Sequence, residues 1–158
     1  NYYKMIRLLL ITFFSLLSLS NSNKFHEAVI AKFHVVERGE VLFLEIEFDA
    51  ENIIKLNKTN SLRVTKEDFT KYLNETTSWF FDGKKIVPKT LSIQTTGEHN
   101  KAICFMSKSL KDVKSVQVKN EFLLDINEHI NVVMLDLNKT YKDYKLDKNR
   151  KEIIVNYQ

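Results

Sequence analysis

The chain has 158 residues, 44% of them hydrophobic and 28% charged, with three Gly and one Pro. That suits one domain with a real core, and it excludes a disordered chain, two comfortable domains or long flexible linkers. The formal net charge is +4, but two of the cations, Lys4 and Arg7, lie in a segment expected to be removed. The 22 basic and 20 acidic residues that remain make no case for nucleic acid as a partner.

Residues 1–22 read as a signal peptide. Lys4 and Arg7 form a basic start, Leu8 to Leu17 a mainly apolar stretch of ten residues, and Ser18, Ser20 and Ser22 supply small residues for cleavage. A stretch of ten residues is too short to span a bilayer, so no transmembrane span is expected in the mature chain. Met5 is the expected initiator, with residues 1–4 an upstream extension. Residues 23–158 are then a single β-rich domain.

Along that domain, residues 28–37 alternate as a strand, with Val29, Ala31, Phe33 and Val35 on one face. A turn at Arg38-Gly39-Glu40 leads into a second strand over 41–48, which buries Leu42, Leu44, Ile46 and Phe48 and turns Glu45 and Glu47 outward. Asp49 is placed to cap a short helix over 50–56. Thr65 and Asp68 resemble a capping box for a helix from Lys66 to about Asn74, with Phe69, Tyr72 and Leu73 on its buried face. Asp82-Gly83 predicts a tight hairpin tip between residues 76–81 and 85–95, and Pro88 in the return strand predicts an edge or a bulge. Residues 97–100 read as a loop and 101–107 as a strand. Val113 to Leu137 reads as two β-runs joined by a compact turn, the central pair of a sheet. Residues 141–150 read as a polar turn region and 151–157 as the closing strand.

Catalytic signatures are absent: the sequence has no G-x-S-x-G, no Gly-rich phosphate loop and no H-E-x-x-H. No catalytic residue and no cofactor is therefore assigned. Cys104 lies in a strand-like run and is expected to be a buried, inert thiol. Glu45 and Glu47 share a face, as an acid pair would, and their spacing fits the outer face of an exposed strand. His26, His34, His99 and His129 have no local metal spacing. His26 near the mature N-terminus, and His129 with Asp125 in the turn of the 113–137 stretch, are the candidates for a divalent transition metal, against the simpler reading of solvated loop histidines. Tyr141 and Tyr144, interleaved with lysines between Lys139 and Lys151, form a basic aromatic patch that reads as a solvated hairpin tip.

With these features in place the chain resembles an exported bacterial family catalogued as domain of unknown function 6702. The resemblance rests on the tip Asp82-Gly83-Lys84, on Val118, Asn120, Leu123, Leu124 and Asp125, and on Asn131 followed by Val132-Val133. It covers residues 25–157. The start of the mature domain, Asn23-Lys24-Phe25-His26, departs from the His-first pattern of the family. The resemblance implies export across the inner membrane of a Gram-negative bacterium, to the periplasm or outer cell surface, and implies no activity.

The expected fold is an antiparallel β-sandwich-like domain of about eight strands with two short helices. The expected function is a non-enzymatic accessory domain that binds a protein or small ligand of the cell envelope, with an exported metal-handling domain as the alternative. Asp82, Gly83, Asn120, Leu124, Asp125 and Asn131 are expected to serve structure, Asn120 and Asp125 as turn and capping residues.

Overall fold

A period-two alternation from residue 29 sends Ala31, Phe33 and Val35 to one side, and only an extended chain does that. The computed structural model describes residues 29–49, 51–52 and 64–157. The expected signal peptide, His26 and most of the expected helix over 50–56 lie outside them. Strand β1 (Ile30–Arg38) and strand β2 (Val41–Asp49) form the expected antiparallel hairpin around Gly39.

Helix α1 (Lys66–Thr76) starts where the capping box predicts. Thr65 Oγ1 accepts the Asp68 N–H at 3.1 Å and donates to Asp68 Oδ2 at 2.8 Å. Phe69 and Leu73 are buried one turn apart on its inner face. Strand β3 (Thr77–Phe81) and strand β4 (Lys84–Ile86) then turn at Asp82 and Gly83, both with positive φ, the geometry that joins twisted strands in two residues.

The expected return strand is two strands, because the chain changes sheets at Val87-Pro88. Pro88 has no N–H for a ladder, and both β4 and strand β5 (Lys89–Thr96) are edge strands, the second with a register shift between Thr90 and Ser92. Strand β6 (His99–Lys108) begins two residues before the expected strand, within the expected loop. Then come strand β7 (Ser115–Asn120), strand β8 (Ile130–Leu137), strand β9 (Thr140–Leu146) and strand β10 (Glu152–Asn156). The described residues thus hold ten strands rather than eight. Strand β9 is the second addition: residues 141–146, expected in a polar turn region, pair with residues 131–136 of β8.

The larger sheet has the order β5-β6-β2-β1-β8-β9 and the smaller the order β10-β7-β3-β4. All pairings are antiparallel except β1 with β8, which is parallel. The expected central pair is therefore corrected. β7 and β8 are not partners; β7 lies inside the smaller sheet and β8 inside the larger one. Residues 121–129 cross between the sheets instead of closing a hairpin. The reason is Phe122, whose ring lies 5.3 Å from Phe33, 5.6 Å from Phe48, 6.1 Å from Phe69 and 5.4 Å from Tyr72. A side chain that packs on β1, β2 and α1 at once cannot sit in a surface turn. Buried residues of both sheets and α1 belong to one core, with Trp79, Phe33, Phe69 and Phe122 its largest members. Among the described residues no helix is long and apolar enough to cross a membrane.

Candidate functional site

At one end of the larger sheet four strand ends meet: the start of β1, the end of β2, the end of β5 and the start of β6. Strand register places their side chains in rows, since cross-strand partners share a face. One row on the outer face runs Gln94, Lys101, Glu47, Lys32 across β5, β6, β2 and β1. The next runs Thr96, His99, Asp49, with Ile30 two residues before Lys32 on the same face of β1. Phe48 and Asn100, a register pair on the inner face, complete the lip. Together these residues line a cleft of about 830 Å3.

The charges in the cleft are partly matched. His99 Nδ1 lies 3.2 Å from Asp49 Oδ1. Lys101 Nζ lies 3.1 Å from Glu45 Oε2 and only 3.8 Å from Glu47 Oε1. Lys32 makes no ion pair among the described residues. Asn100 is 1% exposed; its Oδ1 accepts the Thr95 hydroxyl at 2.7 Å, and its Nδ2 has no hydrogen-bond partner among the described residues. A buried amide donor without an acceptor is costly, and it is a group that a ligand oxygen would satisfy.

Several expected site residues are elsewhere. Glu45, expected on an exposed face, is only 6% exposed and is paired with Arg38 and Lys101. Arg38 of β1 and Lys101 of β6 close over its carboxylate from the two flanking strands, whereas Glu47 on the same face stays exposed. His129, expected to be solvated, is 2% exposed; its Nε2 is 3.0 Å from Asn131 Oδ1. Asn131 Nδ2 donates to Asn120 Oδ1 at 3.0 Å and to the Phe122 carbonyl at 2.8 Å. Asn120 Oδ1 also accepts the Phe122 N–H at 3.0 Å. The structure thus joins Asn120, Asn131 and His129 in one buried polar chain at the crossing between sheets, and leaves Asp125 exposed beside it. Leu124 is buried at 6% exposure. Asp82 Oδ1 accepts the N–H groups of Lys114 and Ser115 at 2.9 and 2.8 Å, so the hairpin tip clips the start of β7.

Among the described residues no three His, Cys, Asp or Glu side chains converge as a metal site would require. Cys104 is buried with Thr90 Oγ1 3.7 Å away. Burial pushes its thiol up to about 11, and the Thr90 hydrogen bond only partly offsets this. In the basic aromatic patch Tyr141 is exposed on edge strand β9, while Lys142 sits 4.4 Å over the Tyr157 ring and donates to the Asn156 carbonyl at 3.0 Å.

The cleft was missed in the sequence because His99 and Asn100 fell in the expected loop, and because the expected strands that hold Ile30, Lys32, Glu47 and Gln94 had no known neighbours. One signal was there. Counting back by two from Cys104 through Ala102 reaches Asn100, a polar residue at an inward position. No known family model matches the chain, and no curated protein matches it.

Proposed function

We propose that the chain is an exported, non-enzymatic binding domain of the periplasm or outer cell surface, and that its ligand is a small polar molecule seated in the cleft at the end of the larger sheet. The observation that carries this reading is the Asn100 amide, buried on the lip of an open cleft with its Nδ2 unpaired among the described residues. Export is supported by the signal-like composition of residues 1–22 and by the resemblance to the exported family. A sandwich-like packing of the two sheets belongs to the same proposal and is supported by the single core to which both contribute. A binding role fits a cysteine held buried and protonated and a cleft whose carboxylates are engaged by Lys101 and His99. The metal-handling alternative draws less support, since His129 Nε2 is engaged by Asn131.

The test is a panel of small polar molecules added to the purified protein and followed by nuclear magnetic resonance. Saturable shifts confined to the amides of residues 30–32, 47–49 and 94–101 are expected. A panel that leaves those amides unmoved at millimolar concentration would refute the reading.

A further inference from the structure

We infer that strand β10 is the contact by which two copies of this chain join, edge to edge and antiparallel about Ile154. Main-chain hydrogen bonds fix which way β10 faces. The Lys151 carbonyl accepts the Asn120 N–H at 2.8 Å, and the Tyr157 N–H donates to the Lys114 carbonyl at 2.9 Å. In an antiparallel ladder this turns the main-chain groups of Lys151, Ile153, Val155 and Tyr157 to β7. Glu152, Ile154 and Asn156 turn theirs the other way, to a side where no strand pairs among the described residues. The Asn156 carbonyl, which accepts Lys142 Nζ at 3.0 Å from β9, marks that outward direction. Ile154 is 67% exposed, the most open large hydrophobic side chain among the described residues.

A bare strand edge is a template for another strand, and folded proteins guard it with lysines, proline, bulges, brevity or a covering element. The other edges of the two sheets are guarded. β4 has three residues, two of them Lys. β5 follows Pro88, carries a register shift between Thr90 and Ser92, and lies against α1, whose Thr70 hydroxyl meets Thr90 at 2.7 Å. β9 holds Lys142 and Lys145, the first reaching inward over the Tyr157 ring. β10 reads Glu-Ile-Ile-Val-Asn, with a charge only at its first residue and neither proline nor bulge. A second copy of β10 suits this edge. Centred on Ile154, the pairing sets Ile154 against Ile154 of the second copy and Glu152 against Asn156 of the second copy. The outward groups of all three residues then gain partners, the Asn156 carbonyl through its second lone pair, and no charge faces its like. Centred on Glu152 instead, the two carboxylates would stand opposed. The two smaller sheets become one continuous sheet, with the Ile154 side chains packed together on its outer face.

So short a ladder covers less surface than a standard interface, and a dissociation constant on the order of 100 µM is expected. Sedimentation equilibrium of the purified protein should show mostly monomer at about 10 µM and mostly dimer at about 1 mM. Ile154→Lys, a change at an exposed side chain, should keep the melting temperature of the monomer. It should weaken dimerisation at least about tenfold, because two lysines then meet across the axis. Ile154→Cys gives an independent reading. A hydrogen-bonded antiparallel pair holds its Cα atoms about 5.5 Å apart, within disulfide reach, and the native Cys104 is buried. Ile154→Cys is expected to oxidise to a linked dimer at least about tenfold faster than Lys85→Cys on the β4 edge. A protein still monomeric at about 1 mM, a dimer that Ile154→Lys leaves intact, or equal linking rates at the two edges overturns the inference.

Discussion

Asn120 Oδ1 is the acceptor for two donors, the Phe122 N–H and Asn131 Nδ2, and both asparagines are fully buried. Truncating Asn120 to Ala strands the Phe122 N–H and one of the two Asn131 Nδ2 hydrogens, the other still bonded to the Phe122 carbonyl, at a cost of about 1–3 kcal/mol for each unsatisfied group. A lower urea midpoint with an unchanged m-value is the expected result, and a midpoint equal to that of the parent protein would show that the network contributes nothing. The sequence marked Asn120 by type, as a turn and capping residue, and Asn131 only through the family resemblance. Their burial was not legible, because it depends on the sheets above and below them. Cys104 yields a second prediction at this scale. With its thiol raised to about 11 by burial, it should react with a thiol reagent at pH 8 only as fast as the protein unfolds, and at once in denaturant. Prompt labelling of the native protein would contradict the buried placement.

At the level of elements, the connection over residues 121–129 decides how strands are shared between sheets. Phe122 touches rings on β1, β2 and α1, so Phe122→Ala leaves a cavity bordered by three elements. The expected cost is about 3–5 kcal/mol, read by chemical denaturation. A loss below about 1 kcal/mol would mean that the neighbouring rings close the space. The same connection begins at Glu121, which bridges Lys119 at 2.6 Å and Lys151 at 2.8 Å, tying the end of β7 to the residue before β10. Hydrogen bonds from Lys119 and Lys151 hold its carboxyl at about 2. A carboxylate depressed in the folded state contributes stability that is complete above the ordinary carboxylate range. That contribution is lost as pH falls through that range towards about 2. Glu121 is a third exposed, so solvent screening keeps the contribution small. Replacing it with Gln should flatten the acid limb of a melting-temperature profile in that window, and leave the slope above pH 5 unchanged. Hairpins and the helix were legible at this scale. The capping box and the Asp82-Gly83 tip act through neighbours within four residues, so their signal is local. The split at Pro88 was half legible, as an edge or a bulge. That β4 and β5 join different sheets was not, because the partners of each strand lie far along the chain.

For the molecule as a whole, the parallel pairing of β1 with β8 joins residues about a hundred positions apart and sets β8 against the β1–β2 hairpin as the larger sheet closes. Long-range closure of this kind makes folding slow, on the order of milliseconds to seconds. Removing residues 130–158 should therefore leave the earlier strands unable to fold, and a cooperative melt of that truncated chain would overturn the topology argument. The sequence by itself determined the class of the domain, its mainly β content, the inward faces of most strands and the local turns and caps. It could do so because a period of two, a φ above zero and a side-chain cap are set by residues close together in the chain. Only the tertiary structure decided which strands pair, that residues 113–137 divide between two sheets, that Glu45 and His129 are buried, and that Lys32, Glu47 and Asn100 meet in one cleft. Those outcomes depend on register between distant strands, and register is fixed by how the whole apolar surface finds cover in one core.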